Sequence, residues 1–228
     1  MRNDIKESII LHVEGHRMMK TGIIFDIDGT LWDSSGEVAN SWSEVFANHP
    51  TVVSRCSRDD MIRLMGKPMT DIVKDLLPEC DEAEQMQILK ECEEYEISYL
   101  MEHPPAPYPG VVTTLNTLAK TYELFIVSNC QAGYIECFLQ LSQLGEVVTD
   151  HISFGDNGFS KGDNIRLIAS RNNLGRYYYV GDIQSDYIAT KEAGGEFIHA
   201  AYGFGEIKEP VKSIDRIEEL LKRLQVTA

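Results

Sequence analysis

Short apolar runs recur along the chain, and polar residues directly follow most of them. These runs lie at residues 22–25, 124–127, 177–180 and 196–200. Their length and composition are typical of strands that are buried on both faces. Apolar residues at helical spacing occupy residues 111–120, 161–173, 186–193 and 214–224. Strands that alternate with helices predict an α/β fold in which helices cover both faces of a parallel sheet.

The region between the first two strands has a different pattern. Residues 34–107 read as nearly all helix, with caps predicted at Ser34 (a capping box with Glu37), Ser57 and Asp81. A proline-rich connection then precludes further helix. We therefore expect a helical cap at 34–107, inserted into an α/β core formed by residues 20–33 and 108–228. Residues 1–19 join no pattern and are expected to be an N-terminal extension.

Composition and charge restrict the class of protein. The 228 residues are 43% hydrophobic and 25% charged, which is ordinary for a globular protein. The formal net charge of −15 would repel phosphate backbones and anionic lipids, so we expect neither nucleic acid nor membrane as a partner. The five cysteines form no CxxC pair, which favours reduced thiols in a cytoplasmic protein.

Carboxylates follow two of the predicted strands. Asp26 and Asp28 come directly after the first strand, and Asp182 and Asp186 follow the third. Ligands of parallel sheets bind at the carboxyl ends of the strands, so these positions are candidates for chemistry. Each pair alone also fits an ordinary acidic turn, and Asp186 alone fits a favourable charge at a helix N-terminus.

Three further polar residues extend the set. Ser128 and Asn129 follow the second strand and suit hydrogen bonding to phosphate oxygens, while Lys161 begins a predicted helix. An ordinary turn and a solvated surface lysine are the alternatives for these residues taken singly. Their order along the chain favours one site: Asp-x-Asp-Gly-Thr, then Ser-Asn, then Lys, then Gly-Asp-x-x-x-Asp.

This ordered set resembles the haloacid dehalogenase (HAD) superfamily of phosphohydrolases over about residues 20–205. The resemblance implies a Rossmann-like core, and the position of the helical insertion resembles that of the phosphoglycolate phosphatase-like subfamily. It also implies Asp26 as the nucleophile that forms an aspartyl-phosphate and Asp28 as the general acid and base. The implied cofactor is Mg²⁺, held by Asp26, the backbone carbonyl of Asp28 and Asp182, with Asp186 supporting it directly or through water.

The resemblance further implies that Ser128, Asn129 and Lys161 bind the phosphoryl oxygens of a small phosphorylated metabolite. Arg63, Gly66 and Lys67 lie near a predicted helix end, where a cap loop could reach the organic part of the substrate. An exposed basic turn is the alternative for these three residues.

Other functions stay open on the sequence. A β-phosphoglucomutase-like phosphomutase would use the same core residues, and a phosphonate hydrolase would need a cap lysine such as Lys67 or Lys74. A catalytically silent relative that serves as a binding or regulatory protein is the alternative outside catalysis. We expect a monomer or a homodimer.

Overall fold

A six-stranded sheet organises the protein. The structure, a computed structural model, describes residues 19–226, and the predicted N-terminal extension therefore lies almost wholly outside the described residues. Within that range the strand order is β3-β2-β1-β4-β5-β6, and all neighbouring pairs are parallel. The strands are β1 (Lys20–Phe25), β2 (Glu123–Ser128), β3 (Asp150–Ser153), β4 (Leu174–Gly181), β5 (Glu196–Ala200) and β6 (Lys212–Ile214). The predicted parallel α/β fold is confirmed.

Helices cover both faces of this sheet. Alternate residues of β1 point to opposite sides, so Ile23 and Phe25 join one buried cluster while Ile24 joins the other. In chain order the helices are α1 (Ser35–Phe46), α2 (Arg58–Leu64), α3 (Met69–Leu76), α4 (Glu82–Glu102), α5 (Val111–Leu118), α6 (Tyr134–Ser142), α7 (Phe154–Asn157), α8 (Lys161–Arg171), α9 (Gln184–Ala193) and α10 (Glu219–Arg223). None of the helices in this described range combines the length and apolar character that a membrane crossing requires.

The central position of β1 determines where polar side chains meet. Phe25 pairs with Ile126 of β2 on one side and with Val180 of β4 on the other. The residues that follow these three strands therefore lie together at the carboxyl end of the sheet.

Helices α1–α4 all lie between β1 and α5 in the chain. The two connections that lead to and from them run side by side, because Trp32 bridges Pro107 and the Tyr108 amide donates to the Leu31 carbonyl at 2.9 Å. The predicted caps of α2 and α4 are confirmed: the Ser57 hydroxyl accepts from the Asp60 amide, and the Asp81 carboxylate accepts from the Glu84 amide.

Two local predictions were wrong. Ser34 makes no side-chain capping bond to α1, because its hydroxyl donates instead to Asp28 Oδ1 at 2.7 Å. Ile214 belongs to edge strand β6 rather than to the last helix, which begins only at Glu219. Strand β3, at the opposite edge of the sheet, was also not predicted.

Candidate active site

Three buried carboxylates meet where β1 and β4 end. Asp26, Asp182 and Asp186 are each at most 2% exposed, and each offers an oxygen within 4.8 Å of those of the other two. Asp26 directly follows β1, while Asp182 and Asp186 flank the start of α9. The structure thus brings together residues that are 160 positions apart in the chain.

Gly29 allows the turn after β1 to approach this cluster. Its φ of +78° lies in the left-handed region that favours glycine. A Cβ atom at this position would lie only 2.1 Å from Asp182 Oδ2. A larger residue would therefore displace the carboxylate.

Lys161 supplies the positive charge of the cluster. Its ammonium group donates to Asp26 Oδ1 at 2.9 Å and to Asp186 Oδ1 at 2.6 Å, and the residue is 5% exposed. This burial excludes the alternative of a solvated surface lysine. One lysine beside three carboxylates leaves an excess of negative charge when all three are ionised.

Burial shifts the proton affinities of these groups. It raises the pKa of the Asp26 carboxyl, and the neighbouring Asp186 adds to that rise while Lys161 opposes it. Burial also raises the pKa of Asp182 well above its ordinary value, with further contributions from Asp186 and Asp26. A bound cation would reverse both effects, because it favours the ionised form.

The cluster suits a hard cation. Asp182 Oδ2 accepts the Phe204 amide at 2.7 Å, whereas Asp182 Oδ1 is buried and has no hydrogen-bond partner among residues 19–226. A buried carboxylate oxygen without a donor is unfavourable unless something else binds it. Carboxylate oxygens are the ligands that Mg²⁺ and Ca²⁺ prefer, so the donor set fits such an ion.

Asp28 stands apart from the three clustered carboxylates. Its Oδ1 accepts hydrogen bonds from Trp32 Nε1 at 3.0 Å, Ser34 Oγ at 2.7 Å and Tyr134 OH at 2.7 Å. Burial raises the pKa of the Asp28 carboxyl, and these three donors moderate the rise. All three donors bond to Oδ1, so Oδ2 is the oxygen available to a ligand.

A cavity lies between the carboxyl end of the sheet and the helical insertion formed by α1–α4. Asp26, Asp28, Ser128 and Asn129 line it from the core, and a water molecule can explore about 40 Å³ inside it. Burial raises the pKa of the adjacent Cys130 thiol well above its usual range, which disfavours a thiolate there. Four of the predicted site residues of the core therefore surround one small space, whereas Lys161 does not line it and adjoins it through its bond to Asp26.

The predicted cap residues take different positions. Gly66 lines the cavity, and its carbonyl accepts from Asn129 Nδ2 at 2.7 Å. Lys67 also lines the cavity, but its ammonium pairs with Asp75 at 2.7 Å. Arg63 is not brought to the cavity: its guanidinium pairs with Asp60 on the surface. Lys74 likewise lies outside it, 3.9 Å from Glu82.

Sequence reasoning missed three polar residues that line the cavity: Glu96, Gln131 and Tyr134. Glu96 had a legible signal, because it falls on the buried stripe of α4 with Leu89, Cys92 and Leu100. A carboxylate on an apolar helix face needs an explanation. Tyr134 carried no comparable signal, since α6, which it begins, was not predicted, and Gln131 lies in the connection just before that helix.

Comparisons with known proteins agree with this geometry. A model of the family described as "Haloacid dehalogenase-like hydrolase" matches residues 23–200. The chain belongs to this family. The match contains the second half of β1, helices α1–α4 and every residue of the carboxylate cluster.

Curated relatives of this HAD-like hydrolase are phosphatases. The phosphoglycolate phosphatase of Shigella boydii serotype 4 is 25% identical over 237 residues, covering 89% of this chain and 92% of the relative. That of Salmonella typhimurium is 26% identical over 239 residues, with the same coverage.

Solved structures share the fold of this HAD-like hydrolase. A haloacid dehalogenase-like family hydrolase from Streptococcus pneumoniae has a TM-score of 0.77 at 20% identity, covering 91% of this chain and 99% of that one. A HAD-superfamily hydrolase from Geobacter sulfurreducens has a TM-score of 0.65 at 17% identity, covering 90% and 96%.

Proposed function

We propose that the protein is a Mg²⁺-dependent phosphohydrolase that cleaves a small phosphomonoester through an aspartyl-phosphate on Asp26. The observation that carries this proposal is the buried cluster of Asp26, Asp182, Asp186 and Lys161 beside a cavity that Asp28 also lines. Phosphoryl transfer requires mainly positioning and charge stabilisation, and this cluster supplies both.

The first proposed step transfers the phosphoryl group to the enzyme. A carboxylate oxygen of Asp26 attacks phosphorus, the bond between phosphorus and the ester oxygen breaks, and an Asp26–phosphoryl bond forms. Protonated Asp28 gives its proton to the departing alkoxide. We assign this proton transfer to Oδ2 of Asp28, which has no hydrogen-bond partner within residues 19–226, because Oδ1 already accepts three hydrogen bonds.

The second proposed step releases phosphate. Asp28, now ionised, accepts a proton from water as that water attacks phosphorus, and the Asp26–phosphoryl bond breaks. The products are inorganic phosphate, the Asp26 carboxylate and reprotonated Asp28, so the enzyme returns to its starting state. Ser128, Asn129 and Lys161 are proposed to hold the phosphoryl oxygens throughout.

The cation would be held by the carboxylates of Asp26 and Asp182 and the backbone carbonyl of Asp28, with Asp186 supporting it directly or through water. Bound there, it would neutralise charge on the phosphoryl oxygens. The unpartnered Asp182 Oδ1 is the observation that supports this assignment.

We also propose that residues 34–107 act as a cap over a core formed by 20–33 and 108–228. The paired connections at Trp32 and Pro107 support this division. So does the cavity, which cap and core residues line together. A cap in this position would exclude water from the reaction and select the substrate.

The proposal is tested by measuring phosphate release from a panel of phosphomonoesters with and without Mg²⁺. Asp26→Asn is expected to lower the Mg²⁺-dependent rate at least about 1,000-fold, because it removes the nucleophile. Asp71→Asn, at an exposed position on α3, is the matched control and should keep the wild-type rate. Equal rates for wild type and Asp26→Asn, or no release from any ester by folded, Mg²⁺-loaded enzyme, would contradict the proposal.

A further inference from the structure

A buried carboxylate faces the cavity from the helical insertion. Glu96 lies on α4, is 2% exposed and lines the same cavity as Asp26 and Asp28. Its Oε2 accepts from Trp42 Nε1, and its Oε1 accepts from Gln131 Nε2 at 2.7 Å. Both donors are uncharged, and within residues 19–226 no lysine or arginine pairs with Glu96. The two bonds therefore use part of the hydrogen-bond acceptor capacity of Glu96, but they do not neutralise the charge of its ionised form.

The rest of the insertion's contribution to the cavity does not supply a positive partner. Its other lining side chains are mostly apolar, among them Val38, Met61, Met69 and Ile72. Lys67 is the basic residue that the insertion adds, but its ammonium bonds to Asp75 and its side chain is 47% exposed. When Glu96 is ionised, the charge that the insertion presents to the cavity is thus negative.

The acceptor capacity of Glu96 determines what kind of group can bind there. Each carboxylate oxygen has two lone pairs, and each Glu96 oxygen uses one of them on Trp42 or Gln131. A ligand hydroxyl or ammonium can donate to the remaining lone pairs. A ligand carboxylate has no hydrogen to donate, and beside ionised Glu96 it would place a second negative charge with no cation between them.

Resting on the phosphatase function proposed above, we infer that Glu96 is a specificity-determining residue of this site. It selects phosphomonoesters whose small organic part carries a hydroxyl or ammonium group, and it rejects those that carry a carboxylate. Water can explore only about 40 Å³ inside the cavity, which favours a short organic part. The substrate class is therefore the phosphates of short polyols or amino alcohols, which differs from the carboxylated substrate in the names of the curated relatives.

Four two-carbon esters that differ in their terminal group test this inference: phosphoethanolamine, 2-hydroxyethyl phosphate, ethyl phosphate and phosphoglycolate. The readout is kcat/KM for each ester with Mg²⁺ at a pH of about 8.5, where Glu96, whose pKa burial raises to about 7, is ionised. For wild type we expect the ammonium or hydroxyl ester to be best and phosphoglycolate to be at least about tenfold poorer than ethyl phosphate. A wild-type preference for phosphoglycolate would overturn the inference.

Variants separate specificity from a purely structural role. Glu96→Gln should reduce the preference for donor-bearing esters over phosphoglycolate at least about tenfold, while ethyl phosphate changes little. Glu96→Asp, which keeps the charge, should retain the discrimination against phosphoglycolate. Glu94→Gln, on the exposed side of the same helix, is the matched control.

If Glu96 has only a structural role, as the acceptor that links Trp42 and Gln131, Glu96→Gln will change kcat/KM of all four esters by the same factor. That result would overturn the inference. Should Glu96→Gln not fold, the wild-type order of the four esters and the Asp variant still decide it. Ethyl phosphate, which has neither a terminal donor nor a carboxylate, distinguishes the two proposals. Hydrolysis of ethyl phosphate without the expected order overturns the inference alone, whereas no hydrolysis of any ester overturns the phosphatase function and the inference with it.

Discussion

A carboxyl group that is buried without a cationic partner keeps its proton to higher pH than in water. Burial raises the pKa of Glu96 from its ordinary 4.5 to about 7, although hydrogen bonds from Gln131 and Trp42 oppose the rise. The folded protein therefore binds a proton at Glu96 in the window between these values, whereas the unfolded chain releases it. Stability contributed by this residue must fall as the pH rises through that window.

We expect Glu96→Gln to become more stable relative to wild type as the pH rises from about 5 to about 8, because glutamine does not titrate. The shift in the difference between their free energies of unfolding should approach about 3 kcal/mol, since one pKa unit corresponds to about 1.4 kcal/mol. Urea unfolding of both proteins across this range measures it. A pH-independent difference would show that Glu96 has an ordinary pKa in the folded state.

Single residues also show what the sequence could reveal. The positions of Asp26, Asp28, Asp182 and Asp186 were legible because each follows an apolar strand and stands in a recognisable order. The hydrogen bond from Ser34 to Asp28 could not be predicted in the same way. A serine before a helix favours a local cap unless another partner competes for its hydroxyl. Here Asp28 and Tyr134 compete, and Tyr134 lies 100 residues away in the chain.

At the scale of elements, the turn between β1 and α1 depends on the absence of a side chain at Gly29. We expect Gly29→Ala to lower Mg²⁺-dependent phosphate release at least about 100-fold, because its Cβ would displace the Asp182 carboxylate. Gly158→Ala is the matched control: Gly158 also has positive φ, at +72°, but a Cβ there meets nothing within 4 Å.

Both glycine variants should lose about 1 kcal/mol of unfolding free energy from the strained backbone, and Gly29→Ala should lose more through its clash. Activity assays and urea unfolding of the two purified variants test this pair of expectations. Similar activity in both would show that the turn after β1 tolerates a side chain.

The strands that the sequence predicted and those that it did not differ in their place in the sheet. The interior strands β1, β2 and β4 are covered on both faces, so their apolar runs are continuous, and the apolar run of β5 was also found. The two unpredicted strands, β3 and β6, are the edges of the sheet. They are short and begin with Asp150 and Lys212, as is common for edges that must not recruit another strand.

For the molecule as a whole, a cation that binds only the folded cluster must stabilise the fold. We expect Mg²⁺ at about 100 times its dissociation constant to add about 2.7 kcal/mol and to raise Tm by about 5–10 °C. Asp182→Asn should lose most of this increase, because Asp182 supplies the oxygen that lacks a protein partner. Thermal unfolding with Mg²⁺ or with EDTA at matched ionic strength measures the effect. An undiminished Mg²⁺ shift in the variant would place the ion elsewhere.

The central position of β1 in the sheet has a consequence for folding during translation. Of the strands within residues 19–226, β1 is synthesised first, yet its partners β2 and β4 follow it by about 100 and about 150 residues. Its apolar run, Ile23-Ile24-Phe25, therefore has neither neighbouring strand to pair with while the helical insertion is translated. During that interval the nascent chain exposes a segment prone to aggregation. A pause in translation before β2 would lengthen the time for which this segment is exposed. Early folding of α1–α4 would not supply the strands that pair with β1.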